Sequence, residues 1–315
     1  MIDIDFWKGK RVFVTGHTGF KGAWLSLWLK NLGCKVSGYS LELDTDPSLF
    51  SVLGLGKKID DHNIADICDY DKLFNAISSF KPDIVLHLAA QSLVKYSYDN
   101  PRETYLTNVI GTVNLLDAVR NYGGVEATVV VTSDKCYENR EVMRGYEESD
   151  PMGGFDPYSN SKGCSELVTS SYSNSYFIPG QGKIGKVASV RAGNVIGGGD
   201  WSENRLIPDM IKAIYSKSSI DIRSPQSIRP WQHVLEPLSG YMVVAQHLCK
   251  LDSQERPLSW NFGPEEQDQK NVGSIVDFFK EEYGDRVDIS YPEQKSAQHE
   301  ANLLFLNIEK AKKEL

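Results

Sequence analysis

Three clusters in this 315-residue sequence carry side chains able to do chemistry. Tyr158-Ser-Asn-Ser-Lys162 sets a phenol and an ammonium one helical turn apart on one face. A cation beside a phenol stabilises phenolate and lowers a pKa of about 10, so such a tyrosine can act as a base near neutrality. Tyr291 and Lys295 repeat the spacing, and position separates the two. Tyr158 follows the apolar run 129–131 and its continuation Thr132-Ser-Asp-Lys135, whereas Tyr291 lies late in the chain. Ser133, at the end of that run, can hydrogen-bond a reacting oxygen, because sites in open α/β sheets gather at strand carboxyl ends. Asp134 and Lys135 read alone as a solvated acid–base pair in a loop; a catalytic reading depends on Tyr158 lying close.

The second cluster is Gly16-His-Thr-Gly-Phe-Lys-Gly22, directly after the apolar run 12–15 and directly before a helical pattern. Glycines there permit a tight turn and let backbone N–H groups approach a pyrophosphate. The following apolar run ends in Tyr39-Ser40-Leu41-Glu42, with Ser40 where an acid gripping NAD ribose is expected. No arginine replaces that acid, although His17 and Lys21 stand near enough in sequence to hold a 2′-phosphate; NAD is favoured over NADP. Asp66 and Ile67 follow a third strand and suit an adenine contact or an exposed turn.

The third cluster, Asp200-Trp201 and Ile228-Arg-Pro-Trp-Gln-His233, joins a guanidinium suited to phosphate with aromatics able to stack on a base. Core packing and a salt bridge explain it equally well. His87, inside an apolar run, reads as a core histidine.

Strand-like apolar runs alternate with helical patterns through the first half, the βαβ rhythm of a parallel sheet. The runs 84–88 and 129–131 do not alternate apolar with polar, as befits strands covered on both faces. Trp24, Leu25, Trp28, Leu29 and Leu32 form one helical stripe that Gly33 stops. Past residue 195 the rhythm loosens among Gly197 to Gly199, Pro208, Pro225, Pro230 and Pro237. The expected fold is α/β, a Rossmann-type doubly wound parallel sheet over residues 1–195 with a smaller C-terminal substrate-binding domain over 196–315.

A net charge of −8 without blocks disfavours nucleic acid and anionic membranes as partners. The first residues lack a signal-peptide pattern and no apolar run has membrane-spanning length, so a cytoplasmic protein is expected. Five cysteines without a CxxC pair suit reduced thiols and no metal site.

The motif set resembles the extended short-chain dehydrogenase/reductase family, and within it the sugar-nucleotide 4,6-dehydratases. The likeness rests on the segment 6–22, Leu88-Ala-Ala-Gln-Ser92, Thr107-Asn-Val109, Thr132-Ser-Asp-Lys-Cys-Tyr137, Asp156-Pro-Tyr-Ser-Asn-Ser-Lys-Gly163, Arg191-Ala-Gly-Asn-Val-Ile-Gly197, Asp200-Trp201, the segment 228–234 and Trp260-Asn-Phe-Gly-Pro264, which cover nearly the whole chain. The resemblance implies oxidation at C4 of a nucleotide-activated hexose with Tyr158 as base and NAD as hydride carrier. Loss of the C5 proton and the C6 hydroxyl as water follows, and the hydride returns to C6. Asp134 takes the acid role, and Lys135 stands where the dTDP-glucose members carry Glu, as in the branch acting on CDP-glucose. Gly16, His17, Thr18, Gly19, Phe20, Gly22, Ser40, Asp66, Ile67, Ala89, Ala90 and Asn108 would meet the cofactor together with Tyr158 and Lys162. Gln91, Asn194, Trp201, Arg205, Arg229 and His233 would meet the substrate. Members of this family pair through helices, which implies a homo-oligomer, a dimer or tetramer, and they run on past the region of Leu315. A sugar-nucleotide epimerase would share Ser133, Tyr158 and Lys162 but has no use for the Asp134 acid. A non-catalytic nucleotide-binding relative is the other alternative.

Overall fold

The structure is a computed structural model that describes residues 1–177, 185–251, 259–286, 288–292 and 303–315; Lys295 lies outside them. Seven strands form one sheet: β1 (Arg11–Thr15), β2 (Lys35–Ser40), β3 (Asp61–Ile64), β4 (Ile84–His87), β5 (Ala127–Val131), β6 (Lys186–Ala192) and β7 (Ser259–Phe262). All pair in parallel, in the order 7-6-5-4-1-2-3. The chain winds outward from β1 to β3, crosses back to β4 and winds the other way. The strand order therefore reverses between β1 and β4, which opens a crevice at their carboxyl ends.

The strands bury consecutive residues, as their unbroken apolar runs require. Val12, Val14, Ile84, Leu86 and Val129 face one core, closed by Leu25 and Leu29 of α1 (Phe20–Asn31) and by Leu238, Met242 and Ala245 of α6 (Leu235–Lys250). Phe13, Val85, Val130 and Val187 face the other, against Leu73 and Ile77 of α2 (Tyr70–Phe80) and Leu115, Leu116 and Val119 of α3 (Gly111–Tyr122). Helix α4 (Pro157–Ser175) lies on that second face. Pro157 sits at its first turn and the Asp156 carboxylate accepts from the Ser159 amide at 2.9 Å, so the start of α4, and with it Tyr158, is fixed.

The boundary expected at residue 195 does not hold as a clean division, because α6 and β7 return to the main core and sheet. The satellite holds α5 (Leu206–Ser216), α7 (Val272–Tyr283) and the paired strands Ile220–Asp221 and Ile289–Ser290 around Met210, Ile214, Ile222, Val276 and Phe279. Among the described residues no helix is long and apolar enough to cross a membrane.

Candidate active site

A cleft of about 830 Å³ runs along the carboxyl ends of β1, β2, β4 and β5 and into the satellite. Its first part fits a dinucleotide. Gly16 holds φ +73°, and a Cβ there would lie 2.7 Å from the Ala89 nitrogen. A Cβ on Gly22 would lie 2.0 Å from the Gly16 carbonyl oxygen, so only glycine lets α1 start this close to the loop. No side chain caps the N-terminus of α1, which leaves its amides available to phosphate oxygens. Thr18, Gly19, Phe20, Ser40, Asp66, Ile67, Ala89 and Ala90 line the cleft around this cradle. The Ser40 hydroxyl is hydrogen-bonded to that of Thr18 at 2.7 Å, and Asp66 accepts from the Cys68 amide at 2.8 Å. Past Ser40 the chain offers Leu41, Glu42 and Asp44 to the cleft and no cation for a 2′-phosphate.

Two loop residues point elsewhere than expected. The fully buried His17 ring presses on Gly38, meets His62 at 2.7 Å and Phe50 edge-on, and is absent from the cleft wall. Burial, followed by the neighbouring His62, pushes its pKa down to about 4, so His17 is neutral and offers nothing to a phosphate. Lys21 turns to the catalytic end, its ammonium 5.9 Å from the Tyr241 ring centroid and within the fields of Arg205, Lys162, Asp134 and Asp200. Burial pushes Lys21 down to about 8.

At the catalytic end β5 delivers Ser133, whose hydroxyl donates to Asp134 Oδ1 at 2.9 Å and accepts from the Lys135 amide at 3.2 Å. The Asp134 carboxylate lies flat on Gly193, where a Cβ would be 2.0 Å from Oδ2; Oδ2 is buried without a partner. Tyr158 stands opposite. Burial pushes its hydroxyl up to about 12; the nearby Ser133 hydroxyl and the Arg205 charge pull it down, and the Asp134 charge pushes it up. The Lys162 ammonium donates to the Val131 carbonyl at 3.3 Å, and burial pushes it down to about 8 against the opposing charge of Glu166. Lys162 is thus anchored to β5, and Arg205 is the cation acting on the phenol. Lys135 also lines the cleft.

On the satellite side Asn194, Trp201, Arg205, Arg229 and Trp231 line the cleft. Arg205 bonds Asp200 at 2.8 Å and donates to the Ser92 hydroxyl at 3.1 Å, which ties the satellite to the loop after β4. Three other expected contacts lie off the cleft wall. Asn108 is buried and donates to the Gln91 carbonyl at 3.0 Å and to Ser161 Oγ at 2.8 Å, bracing that loop against α4. Gln91 spends its amide on Thr104 at 2.8 Å. His233 is exposed, accepts from the Leu235 amide at 3.3 Å and abuts Trp24. His87 is a core histidine, bonded to Thr15 at 2.7 Å. Sequence reasoning missed Tyr241, whose buried, unpartnered hydroxyl feels the charges of Tyr158 and Asp134; nothing in its local pattern marks it.

Residues 13–315 match the model of the GDP-mannose 4,6 dehydratase family. The chain belongs to that family. It is 54% identical to the CDP-glucose 4,6-dehydratase of Salmonella typhimurium, over 100% of this chain and 88% of the relative. Among solved structures, the dTDP-glucose 4,6-dehydratase of Bacillus anthracis in complex with NAD superposes with a TM-score of 0.78 at 22% identity, covering 97% of this chain and 90% of that one. The UDP-glucose 4-epimerase of Thermotoga maritima with UDP-glucose superposes with a TM-score of 0.81 at 20% identity, covering 96% and 91%. The fold is therefore common to both reactions, and the site must separate them.

Proposed function

We propose that this family member is a hydro-lyase, an NAD-dependent CDP-glucose 4,6-dehydratase that forms CDP-4-keto-6-deoxy-D-glucose in the cytoplasm, on the way to deoxysugars of cell-surface polysaccharide. The observation that carries the reading is Asp134: a buried carboxylate on the cleft wall, held by Ser133 through one oxygen and leaving the other without a partner. An epimerase has no hydroxyl to expel and no use for that oxygen. The close identity to a CDP-glucose enzyme supports the choice of nucleotide.

The cradle at Gly16, Gly19 and Gly22 would hold the pyrophosphate of NAD, and the cation-free end of β2 supports NAD over NADP. NAD, when bound, accepts the C4 hydride and gives it back at C6. Tyr158 takes the proton of the C4 hydroxyl, and Ser133 holds that oxygen. The resulting ketone acidifies C5. Lys135 removes the C5 proton while Asp134 protonates the departing C6 hydroxyl, and Lys135 then returns its proton to C5. Arg205 and Arg229 would meet the diphosphate, and Trp201 or Trp231 would stack on the base. The net charge of −8 supports a small-molecule partner, with neither nucleic acid nor membrane, and the family resemblance supports a homo-oligomer.

The deciding experiment incubates the protein with NAD and a panel of nucleotide-glucose donors and weighs the products. Loss of one water, fastest from the CDP sugar, is the expected outcome. A product of unchanged mass with inverted C4 would replace this reading with the epimerase.

A further inference from the structure

The end of β2 carries Ser40 where a carboxylate would accept from the ribose hydroxyls of a dinucleotide. The sheet fixes the place of Ser40: its carbonyl accepts from the Ala65 amide at 2.8 Å, and it pairs with Ile64 of β3. Its hydroxyl meets the Thr18 hydroxyl at 2.7 Å, and Thr18 Oγ1 donates to the Leu41 carbonyl at 3.2 Å. Thr18, Ser40 and Leu41 all line the cleft.

These two bonds decide which oxygen donates. A carbonyl only accepts, so the single proton of Thr18 goes to Leu41. Ser40 is therefore the donor in its bond to Thr18, and its own proton is committed too. Among the described residues the Ser40 hydroxyl makes no other hydrogen bond. What it presents to the cleft is a pair of lone pairs without a proton to give, the hydrogen-bonding character of a carboxylate without the charge. The nearest basic side chains of the loop do not compensate, because Lys21 turns to the catalytic end and His17 is buried against Gly38.

We infer that the chain of hydrogen bonds from Ser40 through Thr18 to the Leu41 carbonyl selects NAD over NADP by the direction of its protons. A ribose 2′-hydroxyl is a donor, and Ser40 accepts from it. A 2′-phosphate offers acceptor oxygens and meets an oxygen whose proton points away. Thr18 is a positioning residue here, acting on the ribose through Ser40, and the Leu41 carbonyl locks the orientation of both hydroxyls. The grip is weaker than a carboxylate's, since a hydrogen bond to a neutral acceptor is about half as strong as one to a charged acceptor. The selection rests on the cradle at Gly16, Gly19 and Gly22 holding a dinucleotide, as proposed above.

The test titrates wild type, Thr18→Val, Ser40→Ala and Glu42→Gln with NAD and with NADP in a calorimeter. Thr18→Val keeps the shape of the side chain and removes its hydroxyl, which frees the Ser40 proton to turn toward the cleft. It should tighten NADP and lower the preference for NAD by about tenfold. Ser40→Ala should weaken NAD by about three- to tenfold and leave NADP where it was. A preference for NAD that survives Thr18→Val overturns the inference. So does a preference that falls with Glu42→Gln instead, because charge and not proton direction would then be choosing. Should Thr18→Val not fold, Ser40→Ala decides, and NAD affinity equal to wild type overturns the role of Ser40. A wild type that binds NADP as tightly as NAD would instead sink the assignment of the cofactor itself, so the two failures are distinguishable.

Discussion

At the scale of single residues the site works by restricting where each proton can go. On the proposed reading Tyr158→Phe removes the group that takes the C4 proton, so reduced nicotinamide should not form in a single turnover, read by its absorbance. Asp134→Asn keeps the shape of the acid without its proton: reduced nicotinamide should still form, and no water should leave. Equal behaviour of the two variants would refute the division of roles. Gly193→Ala tests the same point from behind, because its Cβ would displace the Asp134 carboxylate; it should stall dehydration as Asp134→Asn does. Lys21 and Lys162, both pushed down to about 8 by burial, are charged below that pH and discharge above it. The profile of kcat/KM should therefore fall as pH rises through about 8. Ser133 and Tyr158 were legible in the sequence because a strand end and a helical turn fix their places locally. The directions of Lys21, Gln91 and His233 were not, since packing against Tyr241, Thr104 and Trp24 decides them, and His233→Ala should leave turnover within about twofold.

At the scale of elements, two junctions set the geometry. Gly22→Ala forces α1 away from the Gly16 carbonyl, and cofactor affinity should collapse while the thermal melt moves by far less than the binding isotherm. The second junction joins α4 to β6. Glu166 and Arg191 form a buried pair at 2.7 Å, and Ser189 and Thr132 also donate to the carboxylate. Burial alone would push Glu166 up, but the Arg191 charge and these donors hold it below the usual carboxylate range. Glu166→Gln leaves Arg191 buried and uncompensated and should cost about 3–5 kcal/mol by denaturant melting. The strands β1, β4 and β5 announced themselves as apolar runs. Strand β7 did not, because Ser259-Trp-Asn-Phe262 is short and half polar; its Asn261 is buried and bonded to Tyr137 and to the backbone of Tyr146.

At the scale of the whole molecule, acid should destabilise the fold through its buried histidines. Burial holds His17 at about 4 and His87 at about 3, both below the ordinary value of 6.5. The neutral rings belong to the folded state. Their contribution is complete above about pH 6.5 and lost as pH falls toward 3–4, where only the unfolded chain takes up protons readily. Melting temperature should decline over that window, and His87→Gln should flatten the decline. A wild-type melting temperature constant from pH 6.5 to 4 would refute this.

The late return of β7 also bears on how the polypeptide is made. Until residue 262 has left the ribosome, the outer edge of β6 has no neighbour to pair with, and the core face awaiting Leu238, Met242 and Trp260 stays bare. An incomplete chain with a sticky sheet margin is a target for self-association, and its closing contacts span large sequence separations, which slows folding. Synthesis of this enzyme should accordingly depend on chaperone cover during the final third of translation, and a fragment ending near 195 should accumulate as aggregate.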